Sequence, residues 1–243
     1  MVELLQPGRG QRILEVAAGP GEVGFLALPL LQPGGELIST DVAPEMVDTA
    51  RRRAEELGLE GVRFSVEDAA ALTLGGDSVD GVLCRFGLML VTEMGQAASE
   101  MARVTRPDGR VVVAVWAGPQ VNPWITASGR AALELGLVER PDPEAPGPFR
   151  LSDPDRFASV VTSGGLAIER VEDVTVTWVA GSLDEWWETT EDTSRMLSAL
   201  LERLSSGEIA TLRARATSLL EEYVAADGSL AVPGVARIVV ATA

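Results

Sequence analysis

The chain alternates short apolar runs with stretches whose apolar positions recur at helical spacing. Residues 12–17 (RILEVA) form the first run and predict a strand, followed by a helix over about 22–31 and a second strand, ELIST, ending at Asp41. Pro44 to Gly58 predicts a helix: Met46, Val47, Ala50, Ala54 and Leu57 make one stripe, while Arg51, Arg52, Arg53, Glu55 and Glu56 stay outside. Pro44 suits its first turn and Gly58 its stop. A capping hydroxyl is missing at Ala43, at a cost of about 1 kcal/mol.

Val62–Val66 predicts a third strand and Ser78–Cys84 a fourth, which runs into Arg85-Phe86-Gly87. A helix follows over about Glu93–Val104, and Pro107-Asp108-Gly109 turns the chain into RVVVAVW, apolar enough for a strand buried on both faces. Strands alternating with helices imply right-handed crossovers and a parallel, doubly wound α/β sheet. Ligands of such sheets sit at the C-terminal strand ends, where Asp41, Asp68 and Arg85 fall.

After Trp116 the pattern changes. Val121–Leu137 is partly helical, ERPDPEAPGP is a stiff loop, and Asp153-Pro154 opens a short helix through Val161. Leu166–Ala180 predicts sheet. Ser182 to Glu185 reads as a capping box ahead of Trp186 and Trp187, and Ser205 to Glu208 starts a helix expected to end at Asp227-Gly228. Val235–Ala241 is a closing strand. A length of 243 residues suits one elaborated domain, 1–243, in which 1–117 forms one half and 118–243 the other.

Composition narrows the chemistry. All 20 basic residues are Arg, and the chain has neither His nor Lys. That excludes His-dependent nucleophilic triads, a phosphate-loop lysine, a lysine Schiff base and a His-ligated metal; lone Cys84 excludes an internal disulfide and a cysteine-cluster metal site. No metal is expected. The net charge of −16 argues against nucleic acid as a partner. Apolar runs well short of about 20 residues predict no membrane span, and the lack of a basic leader predicts a cytoplasmic protein.

The densest signal is ILEVAAGPGEVG, residues 13–24, where a strand carrying Glu15 runs into a loop with Gly19, Gly21 and Gly24. Glycines there let backbone amides and a helix N-terminus approach a nucleotide-type ligand. Asp41 ends the next strand, at the spacing at which a carboxylate receives ribose hydroxyls.

With LISTDVAPEMVDTARRRA, VEDAAAL, SVDGVLCRFGLML and the Pro-Asp-Gly lead into RVVVAVW in order after that loop, the chain resembles a class I S-adenosylmethionine-dependent methyltransferase. The likeness is to the group with ubiquinone and menaquinone C-methyltransferases and many small-molecule methyltransferases. It implies a Rossmann-like, three-layer α/β/α fold whose sheet has seven strands, mostly parallel with an antiparallel last strand. It also implies S-adenosylmethionine as cofactor, with 1–117 as the cofactor-binding half, 118–243 as the acceptor side, and a homodimer left open. Glu15 with Ala17, Ala18, Gly19, Pro20 and Gly21 would hold the methionyl end, Ala17 standing where the family most often has glycine. Asp41 would take the ribose hydroxyls, Val42 and Met46 would line sugar and adenine, and Asp68 with the Ala69 amide would read the adenine edge. Arg85 and Phe86 would flank the methionyl part. The acceptor, a small molecule, would meet Trp116, Asn122 and Trp124 beside Arg85 and Phe86, under a lid from Trp186 and Trp187. Family members usually carry a helical segment before the first strand, which here begins near Gln11.

Methyl transfer rests mainly on alignment and a dry site, so no catalytic residue is named; an acceptor that needs a base would leave a carboxylate or Tyr223, the sole tyrosine. Two other readings stay open: a binding protein for the same cofactor without catalysis, and an NAD(P)-dependent oxidoreductase, since residues 19–24 also fit GxGxxG.

Overall fold

A computed structural model describes all residues, Met1–Ala243. Its seven-stranded sheet has the order β3-β2-β1-β4-β5-β7-β6, parallel across the first five with antiparallel last strands. In chain order the strands are β1 (Arg12–Glu15), β2 (Glu36–Asp41), β3 (Val62–Val66), β4 (Val79–Arg85), β5 (Thr105–Trp116), β6 (Ala167–Ala180) and β7 (Leu230–Thr242). The helices are α1 (Val2–Leu5), α2 (Gly24–Leu31), α3 (Pro44–Glu56), α4 (Met94–Val104), α5 (Pro123–Glu134), α6 (Pro154–Ser163), α7 (Leu183–Thr193), α8 (Arg195–Leu201) and α9 (Ser206–Ser218).

The chain forms two compact units. The first takes Met1–Trp116, Glu144–Asp173 and Arg237–Ala243; the second takes Ala117–Pro143 and Val174–Ala236. In the first unit, side-chain alternation along β5 sends Val111, Val113 and Val115 to one core and Val112 and Ala114 to the other. Met101 of α4 and Phe157 and Val161 of α6 fill the former; Phe25, Leu28 and Leu31 of α2 and Ala50 and Ala54 of α3 fill the latter. This double burial is why β5 reads as a continuous apolar run. The second unit has its own core around Trp186, Trp187, Leu200, Leu212 and Val232.

Most predicted elements appear within a residue or two. Pro107-Asp108-Gly109 turns the chain as expected, but inside β5: Val79 pairs with Thr105 and Gly81 with Arg110, so the residues between bulge out, with Asp108 at φ +64°. Two readings of the C-terminal part need correction. The helix from Ser205, closed by a full capping box with Glu208, ends at Ser218, and Asp227-Gly228 is a hairpin turn. There Asp227 Oδ1 accepts from the Ser229 amide at 3.0 Å, Gly228 takes φ +87°, and β7 begins at Leu230, five residues before the expected Val235. Between α7 and α9 lies α8, a separate short helix for which no bounds were expected, capped by the Ser194 hydroxyl.

Candidate functional site

Following β3 the chain crosses back over β1 to lay down β4, so neighbouring strands β1 and β4 leave in opposite directions. That is the switch point at which doubly wound sheets open a crevice. All its residues described here belong to the first unit.

The loop leaving β1 folds through left-handed backbone at Ala17 (φ +52°), Gly19 (φ +54°) and Gly21 (φ +81°). At Gly21 a Cβ would lie 2.5 Å from the Phe25 ring, so the tight turn also needs glycine for space. Ala17 accepts the strained conformation despite its methyl, and room for that methyl comes from Gly87, where a Cβ would lie 2.4 Å from Ala17 Cβ. Ala17→Gly should therefore stabilise the protein by about 1 kcal/mol, read as a melting temperature higher by about 2–4 °C. An unchanged or lower melting temperature would show that the loop carries no such strain.

Glu15 is 2 % exposed. Its Oε1 accepts from the Gly24 amide at 2.8 Å, at the start of α2, while Oε2 is buried without a hydrogen-bond partner. Burial pushes its carboxyl up to about 7, against the pull of the Gly24 amide, Arg85 and the Val23 amide; Glu22 adds a smaller push upward. A half-satisfied buried carboxylate beside left-handed loop backbone suits the ammonium end of an amino-acid ligand.

Asp41 ties the first two crossovers together. Its Oδ2 accepts from the Gly19 amide at 2.9 Å and its Oδ1 from the Ala43 amide at 3.0 Å, so it steadies the turn into α3 that Ala43 cannot cap. Around it, apolar side chains face outward: Val42 is 66 % exposed, Met46 40 % and Val66, in register with Asp41, 51 %. Val66 was not foreseen; its place at the end of β3 was the available signal.

Glu67 and Asp68 part company. Glu67 is buried, and although burial works against ionisation, bonds from the Thr73 hydroxyl and amide and the Ser65 hydroxyl hold its carboxyl below the usual range. Asp68 is exposed and accepts only locally, from the Ala70 amide at 2.9 Å; Ala69 is buried beside it. Of the two acids, Asp68 is the one that stays exposed.

At the end of β4, Arg85, about one-third exposed, pairs with Glu22 of the glycine loop, half exposed, and its guanidinium lies 5.5 Å from the centre of the Phe86 ring. Phe86 takes φ +59° and stacks on Trp116, ring centres 3.9 Å apart and 11° from parallel. Ala18, also expected at the site, is buried and donates its amide to the Thr40 carbonyl at 2.8 Å.

The other residues expected at the acceptor lie in the second unit, and two of them are corrected. Asn122 is fully buried; its Oδ1 accepts from the Val235 amide and its Nδ2 donates to the carbonyls of Ala117, Gly118 and Val235, leaving nothing to offer a ligand. Trp186 is fully buried too, with its indole N–H on the Trp124 carbonyl at 3.2 Å, and neighbouring Trp187 is 1 % exposed. These two tryptophans are core, so the expected lid is withdrawn. Trp124 is half-buried and stacks on Trp178, centres 5.9 Å apart. Tyr223 packs against the same core, and burial raises its phenol, which leaves less of the ionised form to act as a base.

Residues 7–127 match the model of a methyltransferase domain family. A demethylmenaquinone methyltransferase of Thermus thermophilus is 39 % identical over 112 residues, 46 % of this chain and 50 % of that protein. An uncharacterized protein of Mycobacterium tuberculosis is 37 % identical over 109 residues, 45 % of this chain and 38 % of its own length. This chain thus spans half or less of these relatives. Among solved structures, the YcgJ protein of Bacillus subtilis superposes with a TM-score of 0.61 at 20 % identity, covering 98 % of this chain and 95 % of that one, a likeness of fold. No helix is long and apolar enough to cross a membrane.

Proposed function

We propose that this chain, which belongs to the class I S-adenosylmethionine-dependent methyltransferase family, transfers the sulfonium methyl of that cofactor to a small-molecule acceptor by in-line displacement. The observation that carries the reading is the switch-point crevice with Glu15, the left-handed loop and Asp41 on adjoining strand ends. The residues fit the cofactor: the unpartnered Glu15 Oε2 for its ammonium, Asp41 for its ribose, the exposed Val42, Met46 and Val66 as an apolar shelf for adenine, and Asp68 with the Ala69 amide for the adenine edge. When bound, S-adenosylmethionine supplies a methyl already activated by positive sulfur. The chain's own part is to fix that methyl in line, exclude water and hold the acceptor.

For the acceptor, the Phe86–Trp116 stack favours a flat or apolar molecule. A demethylated quinone, the acceptor in the name of the Thermus relative, is one such molecule. The high negative charge disfavours nucleic acid. Incubation with radiolabelled cofactor and a panel of quinones, phenols and amines tests this. Label in an extractable product supports transfer; calorimetric binding of S-adenosylhomocysteine with no transfer to any acceptor would leave a binding protein instead.

Glu15 predicts a pH signature. Its folded value, raised to about 7 from 4.5, makes it a source of stability below about pH 4.5 that is lost as pH climbs through 7. An ammonium placed beside it favours the ionised form, so cofactor binding should release a proton. The gain in melting temperature on adding S-adenosylhomocysteine should therefore grow from pH 5.5 to about 7.5 and flatten above. Glu15→Gln should abolish that slope; a slope unchanged in the variant would assign the proton elsewhere.

A further inference from the structure

At the crevice, the ion pair between Glu22 and Arg85 joins the loop after β1 to the end of β4 beside the switch point. The other arginine that reaches the glycine loop, Arg53 of α3, donates to the Pro20 carbonyl at 3.3 Å. Arg85 is thus the cation available to an anion entering beside the loop, and it already has a carboxylate partner. Its guanidinium also lies against the Phe86 ring, an added cation–π contact on a side chain about one-third exposed.

Resting on the cofactor reading above, we propose that Glu22 is a positioning residue that competes with the cofactor's carboxylate for Arg85: the pair opens when the amino-acid end binds, and closes again when it leaves. The chemistry favours exchange over sharing. Glu15, Glu22 and an incoming carboxylate would put three acids around one guanidinium, and Glu22 is already felt at Glu15 as an opposing charge. Glu22 is about half exposed, so water can solvate it once Arg85 turns away, at little cost. Arg85 itself gains a desolvated, charge-assisted partner in the crevice.

Exchange makes an unusual demand: removing Glu22 must tighten binding, and only for ligands that carry the carboxylate. The test is calorimetric titration of the full chain with S-adenosylmethionine and with decarboxylated S-adenosylmethionine, for wild type, Glu22→Gln and Arg85→Met. Glu22→Gln should bind S-adenosylmethionine about two- to five-fold more tightly, the worth of a half-exposed ion pair, with no gain for the decarboxylated ligand. Arg85→Met should lose the preference for the carboxylate-bearing ligand, and Glu22→Gln should then add nothing on top of it. Circular dichroism melts of each variant ensure that losses are not unfolding. An equal gain for both ligands, a weaker affinity in Glu22→Gln, or a carboxylate preference that survives Arg85→Met would overturn the exchange. Wild type that binds neither ligand would sink the cofactor reading, and this inference with it.

Discussion

Replacing Asp41 by alanine should weaken binding of S-adenosylhomocysteine by about 1.5–3 kcal/mol, roughly 10- to 150-fold, because two charge-assisted hydrogen bonds to a ribose are lost together. The carboxylate also holds the Gly19 and Ala43 amides, so the free variant should melt lower than wild type. Asp41→Asn separates these roles. Its amide oxygen can keep one backbone amide, yet it loses the charge and one acceptor, so affinity should fall while most of the stability returns. Calorimetric titration beside thermal melts gives both numbers, and an affinity untouched in Asp41→Ala would remove the ribose from this strand end.

The largest stability effect is expected in the core of the second unit. Trp186→Ala should cost about 3–5 kcal/mol, the range for deleting a fully buried large aromatic, with its indole hydrogen bond to the Trp124 carbonyl lost as well. A residue serving as a lid would behave in the opposite way, sparing the fold and changing only the Michaelis constant for the acceptor. Chemical denaturation of the variant, followed by fluorescence of the remaining tryptophans, decides between them. Little loss of stability would return Trp186 to the acceptor side.

These two residues also mark what the sequence could and could not convey. Glu15, the glycine loop and Asp41 were legible because each is a local event: a strand that ends, a backbone that must turn left-handed, an acid at a strand terminus. The pair Glu67 and Asp68 was legible only as a pair, since adjacent acids face opposite ways and the choice depends on Thr73, brought back by the following turn. Glu22 carried no local signal, because its partner Arg85 is 63 residues away. Asn122 and Trp186 were expected at the acceptor because a buried aromatic or amide looks the same in sequence whether it packs against protein or against a ligand. Asp227-Gly228 failed for a related reason: the same dipeptide stops a helix or turns a hairpin, and the bridge between Val224 and Leu230 decides.

The chain passes between its two compact units four times, at 116/117, 143/144, 173/174 and 236/237. Phe157 and Val161 of α6, and Val239 in the last strand, belong to the first unit's core although they lie downstream of the second unit's first segment. A fragment cut at residue 127, where the family match stops, would therefore lack part of its own interior. Conversely, the second unit is built from two separate stretches, Ala117–Pro143 and Val174–Ala236, and the boundaries of the latter fall inside β6 and β7. Removing the second of these stretches would therefore cut two strands of the sheet in the middle.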